Sequence, residues 1–160
     1  MMIRAAQADD ATEICALLRR SIIELCQADH NGEVKILGEW LENKTPENVG
    51  RWIESREAHF LVALDDQMIA AAGAITRKGE VLLLYVLPEA RFCGFSKALL
   101  QHLETCARRD GARLAELTST ATAYPFYRAA GYSGEPAGQR EFRPNFARMS
   151  RRLDHSEAGT

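Results

Sequence analysis

The feature that most constrains the fold is a strand, a helix and a second strand in close succession. Residues 81–87 form a nearly continuous apolar run, which predicts a strand buried on both faces. Residues 94–109 follow with apolar side chains at helical spacing, and Gly111 is placed to end that helix. Residues 112–118 are the next predicted strand. Because a helical crossover joins parallel strands, we expect these two to form a parallel pair at the centre of a sheet.

The remaining periodicities surround this unit with helices and hairpins. Helices are predicted around Ile14 to Leu25, at 34–41, from Thr45-Pro46 to Ile53 and at 122–130, and strands at 2–6, 60–64, 68–76, 139–142 and 147–153. This order indicates one α/β (α+β) domain over residues 1–153. We expect a single mixed, mostly antiparallel sheet with the central parallel pair and with helices on both faces. Residues 154–160 are polar and are expected to form a tail.

Composition limits the partners that the chain is suited to. Lys and Arg number 20 and Asp and Glu 22, so the formal charge of −2 offers no basic surface, and we expect no nucleic acid to bind. The longest apolar run is too short to cross a membrane, and the N-terminal residues lack the apolar core of a signal peptide. The four cysteines show no metal-ligand spacing. We therefore expect reduced thiols, no metal and a cytoplasmic protein.

The segment Arg91–Ser96, between the apolar strand and the strong helix, is equipped to bind an anion. Gly94 and Ser96 are small enough for a ligand to approach the backbone, and a helix start offers unpaired N–H groups. Arg91 adds a positive charge. The spacing alone fits a tight turn with an incidental Arg equally well. A P-loop and a dinucleotide fingerprint are both excluded, because Gly94 is the segment's one glycine and Lys97 is displaced.

Two segments together resemble a known family. Arg-Phe-Cys-Gly-Phe-Ser at Arg91–Ser96 resembles the Gln/Arg-x-x-Gly-x-Gly/Ala acetyl-CoA signature of the GNAT superfamily of N-acetyltransferases. Ala123–Tyr132 resembles the family's Ala-x-x-Phe-Tyr-x-x-x-Gly-Phe/Tyr segment, and one helix and one strand separate the two as expected. The element order extends the resemblance over residues 1–153. Two departures are Ser96 at the last small position and Thr120 where the family often has Asn.

The resemblance implies an acetyl-CoA site in the splay between the two parallel strands. Backbone groups of the first strand would pair with pantetheine, and an N–H near Val86 would polarise the thioester carbonyl. The N–H groups of residues 92–97 would hold the pyrophosphate. The implied cofactor-binding residues are Leu84, Tyr85, Val86, Arg91, Phe92, Cys93, Gly94, Phe95, Ser96 and Lys97.

The resemblance also implies catalytic roles. Tyr127 matches the family's Tyr at the coenzyme sulfur, and a phenol is a suitable acid for a leaving thiolate. Glu80 lies where some members carry a catalytic Glu, although it also suits a hairpin turn. Glu116 or water are alternative bases. His30 is a candidate for the amine pocket, with a polar loop as the alternative. A covalent route through Cys93 has no neighbouring His in the sequence to support it.

The sequence therefore predicts a transferase that moves an acetyl group from acetyl-CoA to a primary amine by direct attack. The alternative is a non-catalytic acyl-CoA-binding sensor or interaction domain. The acceptor pocket is expected between residues 22–56 and the loops near 133–146. A polyamine, an amino acid, an antibiotic and a protein N-terminus all remain open as acceptors. A homodimer is a further prediction, since Trp40 and Trp52 suit an interface as well as a core.

Overall fold

A computed structural model describes residues 1–30, 32–134 and 147–153 of the chain. The strands are β1 (Met2–Ala5), β2 (Ala58–Asp65), β3 (Met68–Thr76), β4 (Val81–Val86), β5 (Leu114–Ser119) and β6 (Ala147–Arg152). The helices are α1 (Ala11–Leu25), α2 (Gln27–His30), α3 (Val34–Leu41), α4 (Pro46–Glu54), α5 (Phe95–Arg109) and α6 (Tyr124–Ala129). Short 3₁₀ turns precede α1 and follow β4.

Most predicted elements are confirmed close to their expected ends. At α4, the Thr45 side chain caps the helix by accepting a hydrogen bond from the Asn48 N–H at 3.1 Å. At α1, the side chain of Asp10 does not cap the helix, because its carboxylate accepts hydrogen bonds from Arg4 and from the Gln7 N–H. The expected break after α1 contains the short helix α2. The predicted strand at 139–142 and the tail at 154–160 lie outside the described residues.

The strands form two sheets, which corrects the prediction of one mixed sheet. The first has the order β1-β2-β3-β4 and the second contains β5 and β6, and every pairing between these strands is antiparallel. The predicted parallel pair of β4 and β5 is therefore not supported. Within the described ranges, their parallel contact is one isolated bridge between Glu80 and Glu116. The segment that leads into β4 lies beside β5 at this bridge, and the two strands then diverge.

Two local features explain why the strands meet and then diverge. Gly79, in the turn before β4, accepts a hydrogen bond from the Glu116 N–H at 2.9 Å. A Cβ at Gly79 would overlap the Leu114 carbonyl oxygen, so only glycine permits this approach. Immediately afterwards, Leu82 is an extra residue in the register of β4 against β3. Such a bulge bends a strand, and here it coincides with the point where β4 leaves β5.

The helices and the first sheet enclose the core. Both α1 and α5 pack on β3 and β4, and they make no substantial contact with each other, which places them on opposite faces. β3 is buried almost throughout, whereas in β4 the side chain of Val81 is buried and that of Leu82 is 56% exposed. The expected burial of β4 on both faces is therefore wrong. Its far side is not covered by β5 and faces a cavity.

Candidate functional site

A cavity of about 390 Å³ lies where β4 and β5 part. One wall is β4 itself, and the opposite wall is the end of β5 with the loop that leads into α6. The end of α1 contributes Ser21, Leu25 and Cys26. The Arg91–Lys97 segment closes one end. Since β5 does not pair with β4 along this wall, the cavity has an unpaired strand edge on its surface.

The start of α5 gives one end of the cavity its positive character. No side chain caps this helix, so its first-turn N–H groups lack partners within the helix. Gly94 has a φ of 87° at the N-cap, and Phe92 has a φ of 65° while its side chain is 94% exposed. A positive φ at so bulky a residue is rare and concentrates at ligand-binding sites. Arg91 and Lys97 add their charges beside these N–H groups.

The structure brings together all but one of the predicted cofactor-binding residues. Cys93 is exposed and does not line the cavity, and its thiol lies 3.5 Å from the Arg91 carbonyl oxygen. The residues that do line it are Leu84, Tyr85, Val86, Arg91, Phe92, Gly94, Phe95, Ser96 and Lys97. This part of the wall therefore combines apolar side chains with the two cations, Arg91 and Lys97.

Tyr127, on α6, lies in the wall of the cavity opposite β4. Its ring is held edge-on by Phe126 at 5.1 Å and by Tyr132 at 5.6 Å between centroids. Burial, together with the nearby Tyr85, raises the pKa of the Tyr127 phenol well above its ordinary value. No side chain in the described part of the chain forms a hydrogen bond with the hydroxyl. Because a fully enclosed polar atom would need such a partner, the hydroxyl reaches the cavity surface.

Tyr85, on β4, is a second phenol in the same cavity. Burial raises the pKa of Tyr85 to about 12, and the nearby Trp40 side chain on α3 opposes that rise. Trp40 also stacks edge-on against His30, with 6.2 Å between centroids. These contacts give Trp40 an intramolecular role.

The two carboxylates considered as bases lie outside the cavity lining. Glu80 accepts two hydrogen bonds from the Arg148 guanidinium, at 2.7 and 2.8 Å. Arg148 also lies 3.8 Å from Glu116. This bidentate pair secures the end of β6 against the bridge between β4 and β5. Both Glu80 oxygens are therefore engaged by a cation, and neither carboxylate faces the surface on which Tyr127 lies.

Both ring nitrogens of His30, the candidate for the amine pocket, are occupied by contacts within the chain. This residue is 1% exposed, its Nδ1 accepts from the Gly32 N–H at 3.0 Å, and its Nε2 lies 3.0 Å from the Ile22 carbonyl oxygen. This geometry fits the tautomer with the proton on Nε2. It leaves no ring nitrogen free to contact a substrate amine. The predicted place of His30 in the amine pocket is therefore not supported by its contacts.

The neighbouring residue, Asp29, was not singled out from the sequence. It is buried, and both of its carboxylate oxygens accept hydrogen bonds from Thr122, in the loop before α6. Thr122 and Cys26 line the cavity beside it. Burial, reinforced by Asp29, raises the pKa of the Cys26 thiol to about 12. The polar Asp29-His30 pair between two helices was the available sequence signal, but its contact with Thr122 lies 93 residues away.

Other site types find no support among the described residues. No group of three or more His, Cys, Asp and Glu side chains is arranged to bind a metal ion within residues 1–30, 32–134 and 147–153. Nor does any helix of that part of the chain combine the length and apolarity that a membrane span needs.

Comparison with known proteins agrees with this geometry. Residues 26–152 match the acetyltransferase (GNAT) domain, so the chain belongs to the GNAT acetyltransferase family, and the resemblance seen in the sequence is confirmed. No curated protein sequence matches the chain significantly.

Several solved structures share the fold over nearly the whole chain. They include the PaiA N-acetyltransferase from Thermoplasma acidophilum in complex with coenzyme A (TM-score 0.79, 20% identity, 94% of this chain and 98% of that one). YncA from Salmonella typhimurium, with its cofactor acetyl-CoA, has a TM-score of 0.72 at 19% identity, over 96% and 94%. The aminoglycoside 6′-N-acetyltransferase from Enterococcus faecium has a TM-score of 0.72 at 15% identity, over 96% and 97%.

Proposed function

We propose that the protein transfers an acetyl group from acetyl-CoA to a primary amine. The observation that carries this proposal is the arrangement of one cavity. It has an unpaired strand edge along one wall, uncapped helix N–H groups with Arg91 and Lys97 at one end, and the Tyr127 hydroxyl on the opposite wall. These are the groups that a pantetheine arm, a pyrophosphate and a thioester sulfur require. Family membership and the coenzyme A complexes of similar proteins support the same donor.

The chemistry assigns a task to each part of the cavity. The free edge of β4 at Leu84–Val86 pairs with the amides of pantetheine, and one of its N–H groups polarises the thioester carbonyl. The start of α5 and Arg91 hold the pyrophosphate. The amine nitrogen attacks the carbonyl carbon, the C–N bond forms, and the C–S bond breaks. The leaving thiolate takes a proton from Tyr127 and the nitrogen gives its proton to water, from which Tyr127 is reprotonated, so that no net proton is gained or lost.

Two measurements test the proposal. Titration calorimetry with acetyl-CoA should give saturable heat, and Arg91→Ala should weaken that binding because it removes a cation beside the pyrophosphate. Release of free thiol, followed over a panel of amines, should depend on the amine. Absence of heat would reject the donor, while heat without amine-dependent thiol release would point to a non-catalytic acyl-CoA-binding domain.

Tyr127→Phe tests the assigned acid. The ring and its packing remain, so acetyl-CoA affinity should stay within about twofold, whereas kcat should fall by roughly 10²-fold, the usual contribution of a general acid. Tyr124→Phe is the matched control on the same helix, because its hydroxyl bonds the Gly134 carbonyl oxygen at 2.7 Å and does not line the cavity. Equal kcat values for Tyr127→Phe and the control would remove Tyr127 from the mechanism.

A further inference from the structure

Two acidic side chains are buried in the described part of the chain, Asp29 and Glu104, which are 6% and 4% exposed. A buried carboxylate is costly unless a cation or several hydrogen bonds compensate its charge. How each of the two is compensated therefore indicates what it is for.

Glu104 is neutralised within the protein. The Arg151 guanidinium donates to one of its oxygens at 2.6 Å, and the Tyr132 hydroxyl donates to the other at 2.7 Å. Both oxygens are thus occupied, and the ion pair cancels the charge. Since the arrangement is complete, it leaves no position for a ligand.

Asp29 is not neutralised in this way. Its oxygens accept from the Thr122 N–H at 3.2 Å and from the Thr122 hydroxyl at 2.5 Å, and both donors are neutral. In the residues that the structure describes, no Lys, Arg or His lies within ion-pair distance of Asp29, although eight ion pairs form elsewhere. Each carboxylate oxygen also retains a lone pair that Thr122 does not use.

The carboxylate of Asp29 lies beside the proposed catalytic cavity. Its two bonds hold the main chain and the side chain of Thr122, which lines that cavity. Cys26, three residues before Asp29, also lines the cavity. The charge of Asp29 also acts on the Cys26 thiol and on the Tyr85 phenol, raising the pKa of each. Asp29 itself does not line the cavity; it lies directly behind Thr122, which does.

We propose that Asp29 is an anionic subsite for the acceptor, and that the acceptor carries a positive charge in addition to the nitrogen that reacts. The nitrogen that attacks must be neutral, and its product amide is also neutral. A lasting counter-ion for Asp29 must therefore be a second cationic group, as in a diamine. This inference rests on the proposed acetyl transfer and specifies its substrate class.

Binding of three four-carbon amines to the coenzyme A-saturated protein tests this subsite by calorimetry. The probes are 1,4-diaminobutane, butylamine and 4-aminobutanoate, which differ at the end that does not react. We expect 1,4-diaminobutane to bind at least about tenfold tighter than butylamine, as expected for a desolvated ion pair, and 4-aminobutanoate to bind most weakly. Asp29→Asn should remove at least about tenfold from the diamine affinity and leave the coenzyme A affinity unchanged.

Matched variants separate a lost charge from a lost fold. Asp65→Asn makes the same substitution at an exposed position at the end of β2 and should preserve the preference for the diamine. Thr122→Val keeps the carboxylate and one of its hydrogen bonds, so its diamine affinity should fall less than that of Asp29→Asn. Circular dichroism confirms that each variant is folded.

The outcomes distinguish this inference from the proposed function. If coenzyme A and acetyl-CoA do not bind, the proposed function itself is rejected. If coenzyme A binds but the diamine has no advantage over butylamine, or if Asp29→Asn retains that advantage, the subsite is rejected and the proposed acetyl transfer stands. If Asp29→Asn loses the preference for the diamine and Asp65→Asn keeps it, the subsite is supported.

Discussion

Glu104 and Asp29 are buried to nearly the same degree, yet their charges are balanced differently. Glu104 pairs with Arg151 and Tyr132, whereas Asp29 is held by two neutral donors of Thr122. The first arrangement is closed and binds three parts of the chain together. The second leaves a charge beside a cavity, and no cation of residues 1–30, 32–134 or 147–153 pairs with it. The comparison separates an acid that maintains the fold from one that is available to a ligand.

The two acids also act on opposite ends of the same helix. Asp29 fixes the loop before α6, and Glu104 fixes Tyr132 just after it. Tyr132 in turn packs edge-on against Tyr127, the proposed acid. The position of α6 against the cavity therefore depends on both contacts. A change at Glu104 should act through stability, while a change at Asp29 should act through the acceptor.

The largest expected effect is on stability, when Arg151, the cation that pairs with Glu104, is removed. Arg151→Met leaves Glu104 buried without its partner, and we expect a loss of about 3 kcal/mol of unfolding free energy, the low end for a broken buried pair because Arg151 is partly exposed. Urea denaturation measures it. The double variant Glu104→Gln/Arg151→Met should recover part of the loss, since no charge then remains buried. Arg109→Met, an exposed change at the end of α5, is the control.

An unchanged urea midpoint in Arg151→Met would contradict the comparison. It would mean that solvent compensates Glu104 as well as Arg151 does, and the contrast with Asp29 would then lose its basis.

Much of the fold could be predicted because its signals are local. The apolar run at β4, the helical spacing of α5 and the glycine after it each specify a structure within a few residues, and the elements were found at nearly those positions. The sheet could not be predicted in this way. The parallel neighbourhood of β4 and β5 does begin at Glu80 and Glu116, but a bulge at Leu82 ends it, and no local pattern marks a bulge.

The candidate site also has one part that depends on local signals and one part that depends on contacts between distant segments. The half at Arg91–Lys97 depends on a turn and a helix start within one short segment, so the family resemblance could point to its residues, although the spacing alone fitted a tight turn equally well. The wall near Thr122 depends on contacts between distant segments, such as that of Asp29 with Thr122. Glu80 shows the same limitation. Its partner Arg148 lies 68 residues away, and that ion pair could not be anticipated from the strand that carries Glu80.

A smaller effect is expected when the charge of Asp29 is removed. Asparagine can accept from the Thr122 N–H and donate to the Thr122 hydroxyl, so both contacts persist without a buried charge. The unfolding free energy of Asp29→Asn should therefore stay within about 1 kcal/mol of the original, in contrast to Arg151→Met. A loss as large as that of Arg151→Met would show that Asp29 maintains the fold instead.

The smallest expected effect is on the reactivity of Cys26, which reports the charge of Asp29 directly. Burial is the main cause that raises the pKa of this thiol to about 12, and the nearby carboxylate is the second. Because this pKa lies above that of an unfolded thiol, near 8.5, the burial of Cys26 favours the folded state below that pH. Its contribution should decline as the pH rises from about 8.5 towards 12.

Removing the charge of Asp29 should lower this pKa slightly and leave the effect of burial in place. At pH 8, more of Cys26 is then thiolate, and alkylation by iodoacetamide should become roughly twofold to threefold faster, as a change of a few tenths in pKa implies. Mass spectrometry of the Cys26 peptide measures the rate, and the exposed Cys93 serves as the internal reference. Glu104→Gln, by contrast, should leave the Cys26 rate unchanged, because Glu104 is not among the groups that perturb this thiol. Equal acceleration by both substitutions would show that a general loosening, and not the charge of Asp29, controls the thiol.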